Sequence, residues 1–244
     1  MTEPIMMQAE GVCRNYGNQP VLNDICFTAN KGEVAGFLGP NGAGKSTLMQ
    51  IISGTLSASS GEVLIAGHNI QTSPIQARTY LGYLPDRPPL YTDCEVDEYL
   101  QYCATIHGVP AASQSDAIET AKLKCGLQEA GRRLIFGLSK GYQQRVGLAQ
   151  AIIHSPEIII LDEPSSGLDP NQMVEMRELI SDLKADHCVI FSTHLLSEAY
   201  QLCDRIMIIY KGEIALDRPA SSFTSESDLE QTFVSSTGHS HHDI

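Results

Sequence analysis

Apolar residues along the chain come in short blocks whose lengths and spacing set out an alternation of strands and helices. Residues 5–13 and 21–29 are strand-like and flank the turn residues Tyr16, Gly17, Asn18, Gln19 and Pro20, which predicts a β-hairpin. Residues 33–38 read as a short buried strand that runs into a glycine-rich loop at 39–44, followed by an apolar helix from Lys45 to about Ser53. Further strands are expected at 61–66 and 80–84, and the composition shifts after Asp86, Arg87, Pro88 and Pro89.

From Glu95 to about His154 no strand pattern stands out. Helical periods alone are present, broken at Gly108-Val109-Pro110, Gly126 and Gly131, and they predict a helical insertion over about 87–155. After Pro156 the alternation returns, with strands expected at 158–161, 188–192 and 205–210 and helices between them. The unbroken run Ile158-Ile159-Ile160-Leu161 suits a strand covered on both faces, as in a parallel sheet flanked by helices. From Arg218 the chain is rich in Ser and Thr. Residues 221–244 read as a polar tail, with His239, His241 and His242 solvated rather than metal-binding.

Composition narrows the class. A chain of 244 residues accommodates one large domain or one domain with an inserted subdomain. It buries roughly 70–75% of its unfolded surface, so neither disulfide nor structural metal is required. With 42% hydrophobic and 18% charged residues, disorder is excluded as the dominant state. Sixteen Lys and Arg against 29 Asp and Glu give a formal charge of −13. The basic surface that drives non-specific nucleic-acid binding is therefore missing, and nucleic acid is not an expected partner. The longest apolar run, 206–210, is far short of the ~20 residues that span a bilayer. Met1-Thr2-Glu3-Pro4 lacks the basic start of a signal peptide, so a cytoplasmic location is expected. Seven cysteines form no C-x-x-C pair and read as reduced filler.

Two motifs carry chemistry. Gly39-Pro40-Asn41-Gly42-Ala43-Gly44-Lys45-Ser46 fits G-x-x-x-x-G-K-[ST] between a buried strand and a helix start, the phosphate-loop arrangement. Its glycines let successive N–H groups turn toward phosphate oxygens, and the helix N-terminus favours negative charge. Lys45 is expected on the β- and γ-phosphates, Ser46 on Mg²⁺, and Thr47 on the α-phosphate. Asp162 and Glu163 close the second apolar strand, where the chain leaves the sheet beside that loop. Because side chains alternate along an extended segment, Asp162 can face Mg²⁺ while Glu163 faces an attacking water as general base. Taken alone, an Asp-Glu at a strand end is a solvated terminus; the phosphate loop makes the catalytic reading the stronger one.

Four further segments narrow the type of NTPase. Leu138-Ser139-Lys140-Gly141-Tyr142-Gln143-Gln144-Arg145 resembles the signature motif of ATP-binding cassette (ABC) ATPases. Ser166-Gly167-Leu168-Asp169 stands where that family has its D-loop, Ser192-Thr193-His194 where it has its switch histidine, and Tyr16 where it has an adenine-stacking aromatic. Alone, Tyr16 is a turn aromatic, Ser139 a helix N-cap before the apolar positions Val146, Ala149 and Ile153, and His194 a surface histidine. The ordered set, over about 5–217, gives them the family roles. The chain departs from the usual pattern at Lys140 and Tyr142 in the signature and at Asp86, where the family has a glutamine. Asp86 keeps an oxygen for Mg²⁺ but lacks the amide donor, and acidic residues there resemble a branch of export-type subunits.

The resemblance implies an α/β fold, a P-loop NTPase of ABC type with a RecA-like parallel core, an N-terminal antiparallel β-subdomain and an inserted helical subdomain, within a nucleotide-binding domain at 1–220. It implies ATP as substrate, Mg²⁺ held by Ser46, Asp86 and Asp162, and Lys45, Glu163 and His194 as catalytic residues. The phosphate loop with Tyr16 and Thr47 holds the nucleotide, while Ser139 and Gly141 meet the γ-phosphate of a partner. A head-to-tail dimer follows, working beneath a separate integral-membrane transporter subunit at the inner face of the cell membrane. That subunit is expected to dock on the helical insertion, including residues 87–91. Export is favoured by the Ser-Lys-Gly-Tyr signature and Asp86. Import, or a soluble ATPase serving as an assembly scaffold, is the alternative; a DNA-maintenance ATPase is disfavoured by the acidic charge and by the lack of room for a long coiled coil.

Overall fold

A computed structural model describes residues 5–238. His239, His241 and His242 lie outside the described residues. Strands β1 (Ile5–Tyr16), β2 (Gln19–Asn30), β4 (Ser60–Ile65) and β5 (His68–Asn69) form an antiparallel sheet in the order β2-β1-β4-β5. The expected hairpin is present, longer at both inner ends and turning at Gly17 and Asn18. The larger sheet contains β3 (Val34–Leu38), β6 (Leu81–Leu84), β7 (Ile158–Asp162), β8 (Cys188–Thr193), β9 (Arg205–Tyr210) and β10 (Glu213–Pro219), in the order β10-β9-β3-β8-β7-β6. Its strands from β9 across to β6 are parallel, and β10 adds an antiparallel edge.

Strand geometry explains why these apolar runs sit in the middle of the molecule. Successive side chains point to opposite faces, so Ile159 and Leu161 of β7 enter one hydrophobic layer and Ile158 and Ile160 the other. In β9, Ile206 and Ile208 likewise separate from Met207 and Ile209. The second layer is closed by the antiparallel sheet and α1 (Lys45–Ile52), with Phe27 meeting Phe37 edge-on at 5.0 Å between ring centres.

The first layer is closed by the helical segment, whose main helices are α3 (Val96–Ile106), α4 (Gln114–Lys124) and α5 (Lys140–Ile152), and by α6 (Pro170–Leu183) and α7 (Leu196–Leu202). Helix α3 starts on a reciprocal capping box between Glu95 and Glu98, which satisfies two backbone donors otherwise left over. Buried Lys122 of α4 ties that helix to α3 through Asp97 at 2.8 Å and also meets Glu119 of its own helix at 2.9 Å.

Three short elements carry no mark in the sequence: β5, α2 (Pro74–Thr79) and β10. β5 and α2 are brief, and in β10 only Ile214 and Leu216 alternate with exposed neighbours, too short a period to stand out. The stretch read as a polar tail also holds α8 (Glu226–Thr237), capped by Ser225 and burying Leu229 and Phe233. These two apolar residues, four apart, mark its inner face, and the Ser/Thr-rich background hides so short a stripe. All seven cysteines are free, and four are buried.

Candidate active site

The carboxyl ends of β3, β7 and β8 converge on one edge of the parallel sheet, the position where open α/β sheets bind ligands. From β3 the chain enters the glycine-rich loop and then α1. Gly44 caps that helix at φ 109°, a conformation that side-chain-bearing residues avoid, and a Cβ there would stand 2.7 Å from Leu22 of β2. Helix α1 has no side-chain cap and no acidic residue in its first turn, so its leading N–H groups are left for an anion. The loop is fixed from outside by Gly39 N–H on the Thr193 carbonyl at 3.3 Å and by Gly212 N–H on the Ala43 carbonyl at 3.0 Å. Thr47 is half-buried in the first turn of the helix.

Lys45 is 4% exposed. Its ammonium donates to the carbonyls of Gly39 at 2.8 Å and Pro40 at 3.2 Å, and it lies 3.3 Å from Oε1 of Glu163. The other Glu163 oxygen is 3.0 Å from Nδ1 of His194. Lys45, Glu163 and His194, far apart in sequence, thus form one chain of contacts. Glu163 holds a left-handed backbone, φ 47°, sparsely populated by non-glycine residues and costing on the order of 1–3 kcal/mol. It is held there by its N–H against the carbonyl and hydroxyl oxygens of Ser192 and by its carbonyl accepting from Ser166.

Asp162 is buried beside this chain. Ser192 Oγ donates to its Oδ1 at 2.6 Å and Ser46 Oγ at 3.3 Å. Burial raises its carboxyl above the usual range, the two hydroxyls oppose that rise, and Glu163 and Asp86 add to it. An all-oxygen donor set around a buried carboxylate with excess negative potential suits a hard divalent cation. Among the described residues no three His, Cys, Asp or Glu side chains converge as metal ligands. Asp86 is half-buried; its carbonyl accepts from Gln144 of α5 at 3.0 Å, and it lines a cavity of about 430 Å³ with Lys140 and Gln143.

Three of the sequence-selected residues stand apart from this cluster. Ser139 caps α5, accepting from Tyr142 N–H at 3.4 Å, and among the described residues no hydrogen bond joins it to the phosphate loop. Gly141 is buried under Gln172 of α6, where a Cβ would lie 2.8 Å from that side chain. Tyr16 is 49% exposed at the hairpin turn, with the Arg14 guanidinium 4.7 Å from its ring centre. Ser192 opens the Ser192-Thr193-His194 segment, but the sequence assigns it no role of its own. Its place one residue before the Thr193-His194 pair is the signal available, but its bonds to both acidic residues depend on β7 and β8 lying side by side.

Comparison with known proteins identifies relatives of the chain. The profile of the ABC transporter family matches residues 22–166. The chain is 37% identical over 210 residues to an uncharacterized ABC transporter ATP-binding protein, YxlF, of Bacillus subtilis, covering 86% of this chain and 70% of that one. It is 34% identical over 229 residues to the lantibiotic transport ATP-binding protein SrtF of Streptococcus pyogenes, covering 93% and 96%. Among solved structures it resembles cbiO1 of Clostridium perfringens, part of the ABC transporter complex cbiONQ, with a TM-score of 0.83, 25% identity and 95% of each chain covered. The chain belongs to the ABC transporter family as an ATPase, the ATP-binding subunit of a transport system.

Proposed function

We propose that this ATPase works with Mg²⁺ as a head-to-tail dimer and powers export through a separate integral-membrane subunit, beneath which it lies on the inner face of the cell membrane. The observation that carries the reading is the contact chain Lys45–Glu163–His194 set against the Ser46–Asp162 pair. Export is supported by the resemblance along nearly the whole chain to a lantibiotic transport subunit and by Asp86. No described helix is long and apolar enough to cross a membrane, and the charge of −13 argues against a nucleic-acid partner.

The residues divide the work. Backbone N–H groups of 39–44 and the start of α1 bind the phosphates, Thr47 reaches the α-phosphate, and Tyr16 stacks on the adenine. Ser46, Asp86 and Asp162 would hold Mg²⁺, which would offset negative charge on the phosphates. Lys45 exchanges its Glu163 partner for phosphate oxygens, and that exchange frees the carboxylate to take a proton from the attacking water. His194 bridges Glu163 and the γ-phosphate. Ser139 and Gly141 act on the partner's nucleotide, and residues 87–91 with the helical segment receive the membrane subunit.

Glu163→Gln tests the assignment, since the amide keeps the shape but cannot accept the proton. ATP binding is expected to persist, turnover to fall by at least about 100-fold, and the protein to elute as a dimer with ATP and Mg²⁺ in size-exclusion chromatography. A monomeric Glu163→Gln protein that still hydrolyses ATP would contradict both the base and the dimer.

A further inference from the structure

A cavity of about 210 Å³ borders Glu163 and His194 and is walled by Ser165, Thr193 and Glu198 together with apolar Leu168 and Met173. Two of its wall residues are almost fully buried, Ser165 at 4% and Glu198 at 2% exposure, and each has a buried oxygen without a protein partner: Ser165 Oγ and Glu198 Oε1. The other Glu198 oxygen accepts from Thr193 Oγ1 at 2.7 Å, and Thr193 Oγ1 in turn accepts from Leu195 N–H at 3.0 Å. Those two bonds bracket His194 in the turn between β8 and α7, and His194 faces Glu163.

An unpartnered polar atom buried away from water is costly, and two on the wall of one cavity call for a shared partner. The volume is several times the roughly 30 Å³ a water occupies in the liquid, and the wall supplies the polar groups a water needs. We propose that Glu198 and Ser165 hold water in this cavity and, through that water and Thr193, position Glu163 and His194 for the hydrolytic step. Neither touches the nucleotide; both are positioning residues. The inference rests on Glu163 acting as the general base.

The test measures kcat and ATP affinity separately on the purified full chain. Glu198→Ala is expected to lower kcat about tenfold while leaving the ATP Kd within about twofold, the pattern of a lost transition-state alignment. Glu198→Gln is expected to restore most of the activity, because its amide oxygen still accepts from Thr193 and its NH₂ still meets the water. Ser165→Ala, a change too small to endanger folding, is expected to lower kcat about threefold. The double variant should then fall no further than Glu198→Ala alone, since both act through one water. Wild-type kcat in Ser165→Ala, losses that multiply in the double variant, or a kcat loss matched by lost ATP affinity would each overturn the proposal. Glu163→Gln assayed alongside separates the two ideas. If it still turns over, the base assignment fails and takes this inference with it. If it is inactive while Glu198→Ala and Ser165→Ala keep wild-type rates, only the positioning role is wrong.

Discussion

Lys45 concentrates the chemistry of the site in one side chain. Its ammonium satisfies two loop carbonyls and balances Glu163 while almost wholly buried. Lys45→Ala therefore removes the cation of the phosphate cradle and leaves Glu163 without its ion pair. ATP affinity is expected to drop on the order of 100-fold, two charge-assisted contacts at about 1.5 kcal/mol each, as measured by titration with a fluorescent ATP analogue. Near-wild-type affinity would remove Lys45 from the phosphate site. The type and spacing of Lys45 are legible in the sequence because the phosphate-loop motif is local. Its pairing with Glu163, which joins the start of α1 to the end of β7, is not.

At the scale of elements, the helical segment meets the sheet through a pair of stacked histidines. His107 at the end of α3 and His154 just beyond α5 lie 4.2 Å apart, nearly parallel, and His154 Nε2 is 3.1 Å from the Leu81 carbonyl. Burial, then the neighbouring His107, pushes His154 down to about 4, and burial lowers His107 and His187 as well. In the unfolded chain these imidazoles titrate near 6.5. The unfolded state thus binds more protons between those values, and stability present above about pH 6.5 is lost as pH falls toward 4. Asp162, raised in the fold, acts in the opposite sense. His154→Phe keeps an aromatic ring against His107 and removes the titration, so its urea midpoint should decline less than that of wild type from pH 7 to pH 5. An unchanged slope would mean that His154 is not neutral in the fold. A second element-level test concerns α8: Leu229→Ala should cost about 2–4 kcal/mol in urea unfolding, whereas a solvated tail would give almost none.

For the whole molecule, the proposed head-to-tail dimer makes the site one shared between two chains. The phosphate loop, Asp162, Glu163 and His194 share one sheet edge, while Ser139 caps a helix of the inserted segment with no bond to them. Ser139→Arg should spare ATP binding and abolish hydrolysis by blocking closure of the dimer. Mixing Ser139→Arg with Lys45→Ala chains should restore activity above that of either alone, because one composite site keeps both its loop and its signature. Activity in the mixture no higher than in the separate variants would count against sites shared between chains.

Local chemistry is legible in the chain itself. The phosphate loop, the Asp162-Glu163 pair and the buried strands show in the sequence because each depends on neighbours within a few residues and on the period of a strand or helix. The helical insertion is likewise visible as an absence of strand period. What tertiary structure alone decides are contacts between segments that meet only when β3, β7 and β8 lie side by side: the bridge from Ser192 to both acidic residues, the Lys45–Glu163 pair, the left-handed turn at Glu163, and the cavity that Glu198 and Ser165 share. Helix α8 belongs with them, since two apolar residues in a polar stretch become a helix face only when the sheet edge supplies the surface they bury against. Periodicity reports which face of an element is apolar; which side chains of distant elements touch is fixed by sheet order and packing.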